Sequence, residues 1–238
     1  MTSGAARVRE AALASHVGLV REANEDRTLL RPPILGVADG VGGALAGGRA
    51  AQTVVDRVSQ LGNDPSVAEV CEGLGDANRA LLAEIAHNSS LAGMGSTATL
   101  TLVRERHLDV VHVGDSRAYL LRSGDLRQLT EDHSLVAELV RAGALSVEEA
   151  ALHPRRNVIT KAIGAEDTLE PDARSIPTEP GDIVLVCSDG LSGQVPDEEI
   201  RSLIQAAPSL DSAATRLVEA ANSAGGADNV SVVLARLA

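Results

Sequence analysis

Phenylalanine and tryptophan are missing from this chain, and tyrosine occurs once, at Tyr119. A core must therefore be assembled from Val, Leu, Ile and Ala, which the 44 % hydrophobic content supplies and which fill an interior without aromatics. Lysine is almost absent as well: Lys161 stands alone, and acids outweigh bases to a formal net charge of −12. Such a balance argues against general affinity for nucleic acid, where cations must displace counterions from the phosphate backbone. No apolar run of about 18 residues is present to cross a bilayer. The polar, Arg-bearing stretch from Met1 to Glu10 has no apolar core of the signal-peptide kind. These absences lead us to expect a soluble, cytoplasmic protein without a nucleic-acid or membrane partner. Only two cysteines occur, Cys71 and Cys187, far apart and without metal-type spacing, so buried free thiols are expected rather than a disulfide or zinc scaffold.

What is present is alternation. The 238 residues contain no repeat, low-complexity tract or long linker, which fits one domain over 1–238. Ala11 to Leu19 and Ile34 to Ala38 read as strands, the second ending at Asp39-Gly40 and running into the glycine-rich turn Gly42-Gly43 and Gly47-Gly48. Helical spacing follows over Arg49 to Leu61 and Ser66 to Ala86. Ser96 to Val103, Leu108 to His112 and Arg117 to Leu121 resemble an antiparallel meander, with Ser123-Gly124-Asp125 as a further turn. Ser134 to Ala151 is predicted helical, broken at Ala142-Gly143. Strands return at Asp172 to Ile176 and Ile183 to Cys187, helices at Asp197 to Gln205 and Asp211 to Ser223, and a last strand at Val230 to Leu237. This order predicts an α+β fold, two antiparallel sheets face to face with helix pairs outside.

Several acids share one local setting. Glu25-Asp26, Asp39, Asp132, Asp189 and Asp228 each lie at the edge of an apolar strand or beside Gly or Asn. Val37-Ala38-Asp39-Gly40 and Val186-Cys187-Ser188-Asp189-Gly190 repeat one arrangement: an apolar strand delivers an aspartate into a glycine turn where backbone can approach a ligand. Singly, Asp-Gly is a turn signal. Brought together, such carboxylates repel one another and are stable only around cations. Hard oxygen donors without Cys or His favour Mg²⁺ or Mn²⁺ over zinc.

The ordered series of segments is similar to the type 2C protein phosphatases, the metal-dependent Ser/Thr family, and especially its compact bacterial members. It runs from Gly18-Leu19-Val20-Arg21-Glu22-Ala23-Asn24-Glu25-Asp26 through Val37 to Gly43, Gly95-Ser96-Thr97-Ala98 and Val113 to Tyr119. Leu129 to Leu135, Asn157 to Gly164, Cys187 to Ser192 and Asp228-Asn229-Val230-Ser231-Val232 complete it. The resemblance implies a four-layer α-β-β-α sandwich and hydrolysis of phosphoserine and phosphothreonine in proteins by a metal-bridged hydroxide, opposing Ser/Thr kinases. Its implied partners are phosphorylated proteins, namely those kinases and their substrates.

On that resemblance Asp39 would bridge two cations, with Asp189 and Asp228 at the first and the Gly40 carbonyl, Glu25 and Asp26 at the second. A third Mn²⁺ or Mg²⁺ would use Asp132 with Asp189. Arg21 would bind the substrate phosphate, as a planar guanidinium suits that dianion. Two departures stand out. Val41 replaces the histidine found in animal members, so no side-chain acid is expected there. Gly193 replaces a common Asp or Asn, which weakens the case for a third ion. Ser134 to Gly164 corresponds to the family's flap, with Arg155 and Arg156 facing an acidic partner or plain solvent. His133 is expected as a partner of Asp132. Asp115 is expected to serve the fold, as a hairpin-turn carboxylate that pairs with Arg117 or caps backbone N–H groups, and Ser96 and Thr97 are expected to bond to backbone.

Two other classes fit the sequence less well. A binding-only sensor of phosphoproteins would commonly have lost one of Asp39, Asp189 and Asp228, all present here. A Ca²⁺-binding structural protein would carry alternating acids in a short loop, and none occurs.

Overall fold

The computed structural model describes residues 7–42 and 46–238, so Gly43 of the glycine-rich turn and the first six residues lie outside it. In chain order the strands are β1 (Val8–His16), β2 (Arg27–Arg31), β3 (Ile34–Ala38), β4 (Gly40–Val41), β5 (Gly95–Ser96), β6 (Ala98–Val103), β7 (His107–Val113), β8 (Arg117–Arg122), β9 (Asp125–Gln128), β10 (Asp172–Pro177), β11 (Ile183–Cys187) and β12 (Val230–Leu237). The helices are α1 (Ala46–Ser59), α2 (Val67–His87), α3 (Leu135–Arg141), α4 (Val147–Leu152), α5 (Asp189–Ser192), α6 (Asp197–Ala206) and α7 (Leu210–Ser223). One sheet runs β1-β12-β11-β8-β9 and the other β10-β7-β6-β3-β2, all pairs antiparallel, with β4-β5 a small separate ribbon.

Alternation along the strands sorts side chains into three apolar layers. On β11, Ile183, Leu185 and Cys187 face α5, α6 and α7, while Val184 and Val186 face the other sheet. β12 does the same with Val230, Val232 and Leu234 against Val233, Ala235 and Leu237. Across the sandwich, Ile34 and Ala38 of β3 pack under α1 and α2, and Leu35 and Val37 turn inward. Three interfaces between four layers are therefore filled by period-two aliphatic patterns, each buried Val, Leu or Ile contributing roughly 1.5–3 kcal/mol. The expected sandwich is the observed fold.

Local signals set most boundaries. Ser66 and Glu69 form a reciprocal capping box that starts α2 directly after Pro65. Ser209 caps α7. β1 ends at His16 rather than Leu19, because Gly18 turns with φ +81. The edge strand β2 was not legible: Leu29 is its one buried residue and arginines close both ends, so no alternation advertises it. Gly47 and Gly48, expected in the turn, belong to the first turn of α1. A Cβ at Gly47 would meet the Gly40 carbonyl carbon at 2.6 Å, so glycine lets the helix start abut the Asp39-Gly40 turn.

Candidate active site

The two strand-to-glycine turns open at the same end of the sandwich. Asp39 follows β3, and its backbone is fixed by the neighbouring sheet edge: its N–H donates to Thr97 Oγ1 at 3.0 Å, and its carbonyl accepts from Thr97 N at 2.8 Å and Ser96 Oγ at 3.0 Å. Ser96 and Thr97 thus act on backbone, as their sequence setting suggested. Asp189 follows β11 as the first residue of α5. Close apposition brings it to Asp228: a Cβ on Gly190 would stand 1.9 Å from the Asn229 carbonyl oxygen, a spacing open only to glycine.

Asn229 ties the remaining parts to this point. Its amide nitrogen donates to the carbonyls of Val17 and Ala23, both at 2.9 Å, and its Oδ1 accepts from Glu25 N at 2.8 Å. The loop carrying Arg21 and Glu25 is therefore pinned to the start of β12. Glu25 Oε1 in turn accepts from Gly48 N in the first turn of α1. In the sequence Asn229 stands out only as part of the Asp228 to Val232 segment; being buried with its amide spent on three backbone groups marks it as an organiser of the site.

Arg21, Glu25, Asp39, Gly40, Val41, Asp115, Asn157, Ile159, Asp189, Asp228 and Asn229 line a cavity of about 140 Å³ together with Gly42. Asp26 lies just beneath, buried, with Oδ2 accepting from Ser188 Oγ at 2.8 Å. Burial followed by repulsion from Asp26 and Asp189 holds the Asp39 carboxyl well above the usual carboxylate range. Burial, then Asp228, raises Asp189. Burial raises Asp26 to about 6, with Asp189 and Asp228 adding to the shift against two serine hydrogen bonds.

This cluster fits divalent cations. Among the described residues no three acids converge on one point as a closed cage would require. They stand around a space that admits ions keeping part of their water, the habit of Mg²⁺. The donors are all oxygen, and the buried Oδ1 atoms of Asp26 and Asp115 have no hydrogen-bond partner among the described residues. Unpaired buried carboxylate oxygens are costly unless a cation meets them.

Asp132 is not part of this ring. It forms a two-pronged pair with Arg117, whose Nε donates to Oδ1 at 2.9 Å and Nη2 to Oδ2 at 2.7 Å, and Gln128 Nε2 also donates to Oδ1. Its lone pairs are spent on the fold. Asp115, expected to pair with Arg117 or cap backbone N–H groups, lines the cavity that Asp132 does not, and burial followed by Asp189 raises its carboxyl well above the ordinary range. The difference follows from side-chain direction, since Arg117 reaches away toward Asp132 and Tyr119 OH. His133 does not partner Asp132 either; its ring contacts Gly114 N at 3.0 Å and Asp172 at 3.3 Å. Of the cysteines, Cys187 is buried and its thiol pushed up to about 12 by burial, while Cys71 is only half-buried.

Arg21 lies at the cavity mouth, half-exposed, with Nη2 donating to Asp228 Oδ2 at 2.6 Å. Asn157 and Ile159 join the cavity lining from the segment following α4. That segment returns to the sheet through Ser96, which exchanges two backbone hydrogen bonds with Ile163. Arg155 and Arg156 are exposed. Gly193 N donates to the Asp189 carbonyl at 2.7 Å, closing α5.

Comparison with known proteins agrees with the fold. The protein phosphatase 2C family model matches residues 4–141. The serine/threonine phosphatase Stp of Listeria welshimeri is 36 % identical over 230 residues, covering 91 % of each chain. The serine/threonine protein phosphatase PstP of Mycobacterium tuberculosis is 40 % identical over 222 residues, which is 92 % of this chain and 43 % of PstP. The crystal structure of the PstP catalytic domain in complex with two manganese ions superposes with a TM-score of 0.88 at 38 % identity, over 96 % of this chain and 97 % of that one. Fold, carboxylate arrangement and likeness converge: the chain belongs to the protein phosphatase 2C family.

Proposed function

We propose that this chain removes phosphate from phosphoserine and phosphothreonine in proteins, dependent on Mn²⁺ or Mg²⁺, and so opposes Ser/Thr kinases in the cytoplasm. The single observation that carries this reading is the ring of Asp39, Asp189, Asp228, Glu25 and Asp115 around one cavity with Arg21 at its mouth. Asp39, Asp189, Asp228 and the Gly40 carbonyl would hold two cations, with Glu25 and Asp26 on the second side. Asp115 rather than Asp132 is the residue suited to a third ion, beside Asp189. When bound, such ions supply Lewis acidity, making water a stronger nucleophile and offsetting phosphoryl charge.

The chain's own groups supply the rest. Arg21 can present two N–H groups to the phosphate dianion and hold it over the carboxylates. Val41 on the cavity wall offers no proton, so esters with good leaving groups should react faster than alkyl ones. Residues 134–164 serve as the flap of a single catalytic domain, with Asn157 and Ile159 forming the rim a substrate passes. No helix among the described residues is long and apolar enough to cross a membrane.

The test is hydrolysis of a phosphothreonine peptide and an aryl phosphate with Mn²⁺, with and without chelator. Activity that chelator abolishes, and that Asp39→Asn removes in a folded protein, is the expected result. Undiminished turnover in metal-free buffer would reject the reading.

A further inference from the structure

Asp115 differs from the other cavity acids in how it is held. Asp39 has its backbone fixed by Ser96 and Thr97, Asp189 opens a helical turn, and Asp228 accepts from Arg21 and from Asn229 N. Among the described residues the Asp115 side chain has no hydrogen-bond partner other than Asp115 itself, and its Oδ1 is buried and unpaired there. Its direction is therefore inherited from the peptide before it. That peptide follows Gly114, at φ +108, where a Cβ would clash with Thr97 Cγ2 at 2.5 Å. Glycine is required there, and glycine is the residue least able to hold its own conformation.

His133 supplies the missing restraint. Its backbone N–H donates to the Gly114 carbonyl at 2.8 Å, and its ring Nδ1 accepts from Gly114 N at 3.0 Å, a clamp on both faces of the residue. An accepting Nδ1 places the ring proton on Nε2, which faces Asp172 Oδ2 at 3.3 Å. Asp172 Oδ1 accepts from Lys161 at 3.1 Å, the one lysine of the chain. The His133 carbonyl accepts from Thr160 N at 2.9 Å. The line Lys161–Asp172–His133–Gly114 thus joins the segment bearing Asn157 and Ile159 to the residue that aims Asp115.

We propose that His133 is a positioning residue for Asp115, its neutral ring holding the Gly114 peptide so that the Asp115 carboxylate faces the cavity. The inference rests on the phosphatase reading of that cavity. Asparagine can place an acceptor near the position of Nδ1, and glutamine one near Nε2. His133→Asn should therefore keep the Gly114 bond and His133→Gln lose it, both remaining polar and foldable. His133→Gln should lower kcat about tenfold, the usual size for an outer-sphere partner, with KM little changed, and His133→Asn should restore most of it. In an Asp115→Asn background the glutamine substitution should cost less than about twofold more, because both changes act on one carboxylate.

Two measurements do not use turnover. In metal-free protein, nitrogen chemical shifts should report the Nε2–H tautomer of His133, and the Gly114 amide should resist hydrogen exchange in wild type and His133→Asn but not in His133→Gln. Calorimetric Mn²⁺ titration should weaken in His133→Gln as it does in Asp115→Asn. Equal behaviour of the Asn and Gln variants, additive losses with Asp115→Asn, or an Nδ1–H tautomer would overturn the inference. An inactive wild type would sink the phosphatase reading instead, leaving the spectroscopic and titration results to decide the clamp.

Discussion

Arg21 Nη2 and Asp228 Oδ2 are 2.6 Å apart, so the guanidinium at the cavity mouth and a carboxylate of its wall form one ion pair. The arginine is half-exposed and the aspartate less so, which leaves the guanidinium's other N–H groups open to an incoming anion. Arg21 also pulls the neighbouring Asp189 carboxyl downward against burial and Asp228, the larger influences.

Arg21→Ala should raise KM for a phosphopeptide about tenfold or more while the fold persists, since a charge-assisted pair to phosphate is lost. Arg21→Lys should recover part of it, a point charge replacing a planar fork. Steady-state kinetics decide the matter: a KM unchanged in the alanine variant refutes phosphate binding by this residue.

Cation binding should couple to stability with a defined sign. Asp26 ionises near 6 in the native protein against an ordinary 3.8, so the unfolded chain gives up its proton first as pH rises. Metal-free protein therefore loses stability as pH rises from about 4 through 6, and the raised Asp39, Asp115 and Asp189 act in the same direction. Mn²⁺ at a hundred times its Kd adds about 2.7 kcal/mol. Thermal unfolding should show Mn²⁺ raising Tm more at pH 7.5 than at pH 5; equal increments at both would contradict the clustering of acids.

Asp132 and Asp115 should separate cleanly. Asp132→Asn weakens a pair that keeps the part-buried Arg117 charge satisfied, and the loss should fall below the figure of about 3–5 kcal/mol for a fully buried pair broken on one side. Denaturant unfolding should register that loss. Asp115→Asn removes a raised, mutually repelled carboxyl, so stability in chelator should hold or rise while activity and Mn²⁺ affinity fall. The reverse pattern would restore Asp132 as the cavity ligand.

Gly190→Ala should be disruptive far beyond one methyl group. Its Cβ would stand 1.9 Å from the Asn229 carbonyl oxygen, and backbone on both sides must move. Overpacking of this kind costs typically about 1–3 kcal/mol, and here the shift also parts Asp189 from Asp228. A lowered Tm together with weakened Mn²⁺ binding is expected. A variant with native Mn²⁺ affinity would show that the glycine contact does not set the carboxylate spacing.

Much of the molecule was written in local chemistry. Period-two aliphatics on β3, β11 and β12 specify strands and both of their faces, and Ser66-x-x-Glu69 specifies where α2 begins, because these depend on neighbours within a few residues. Asp39-Gly40 and Asp189-Gly190 were legible as strand-to-glycine turns for the same reason: a strand end and a glycine are adjacent in the chain.

Tertiary structure decided what adjacency could not. Asp115 follows β7 of one sheet and Asp132 follows β9 of the other, but Arg117 reaches Asp132 across 15 residues and takes it out of the site, leaving Asp115 in the cavity. The roles of Asn229, spanning about two hundred residues to Glu25 and Ala23, and of His133, spanning 19 to Gly114, likewise exist only once the sheets have stacked. The sequence by itself determined which carboxylates end strands beside glycine; the direction each one points, and which partner claims it first, belongs to strand register and packing, interactions between residues the chain does not place side by side.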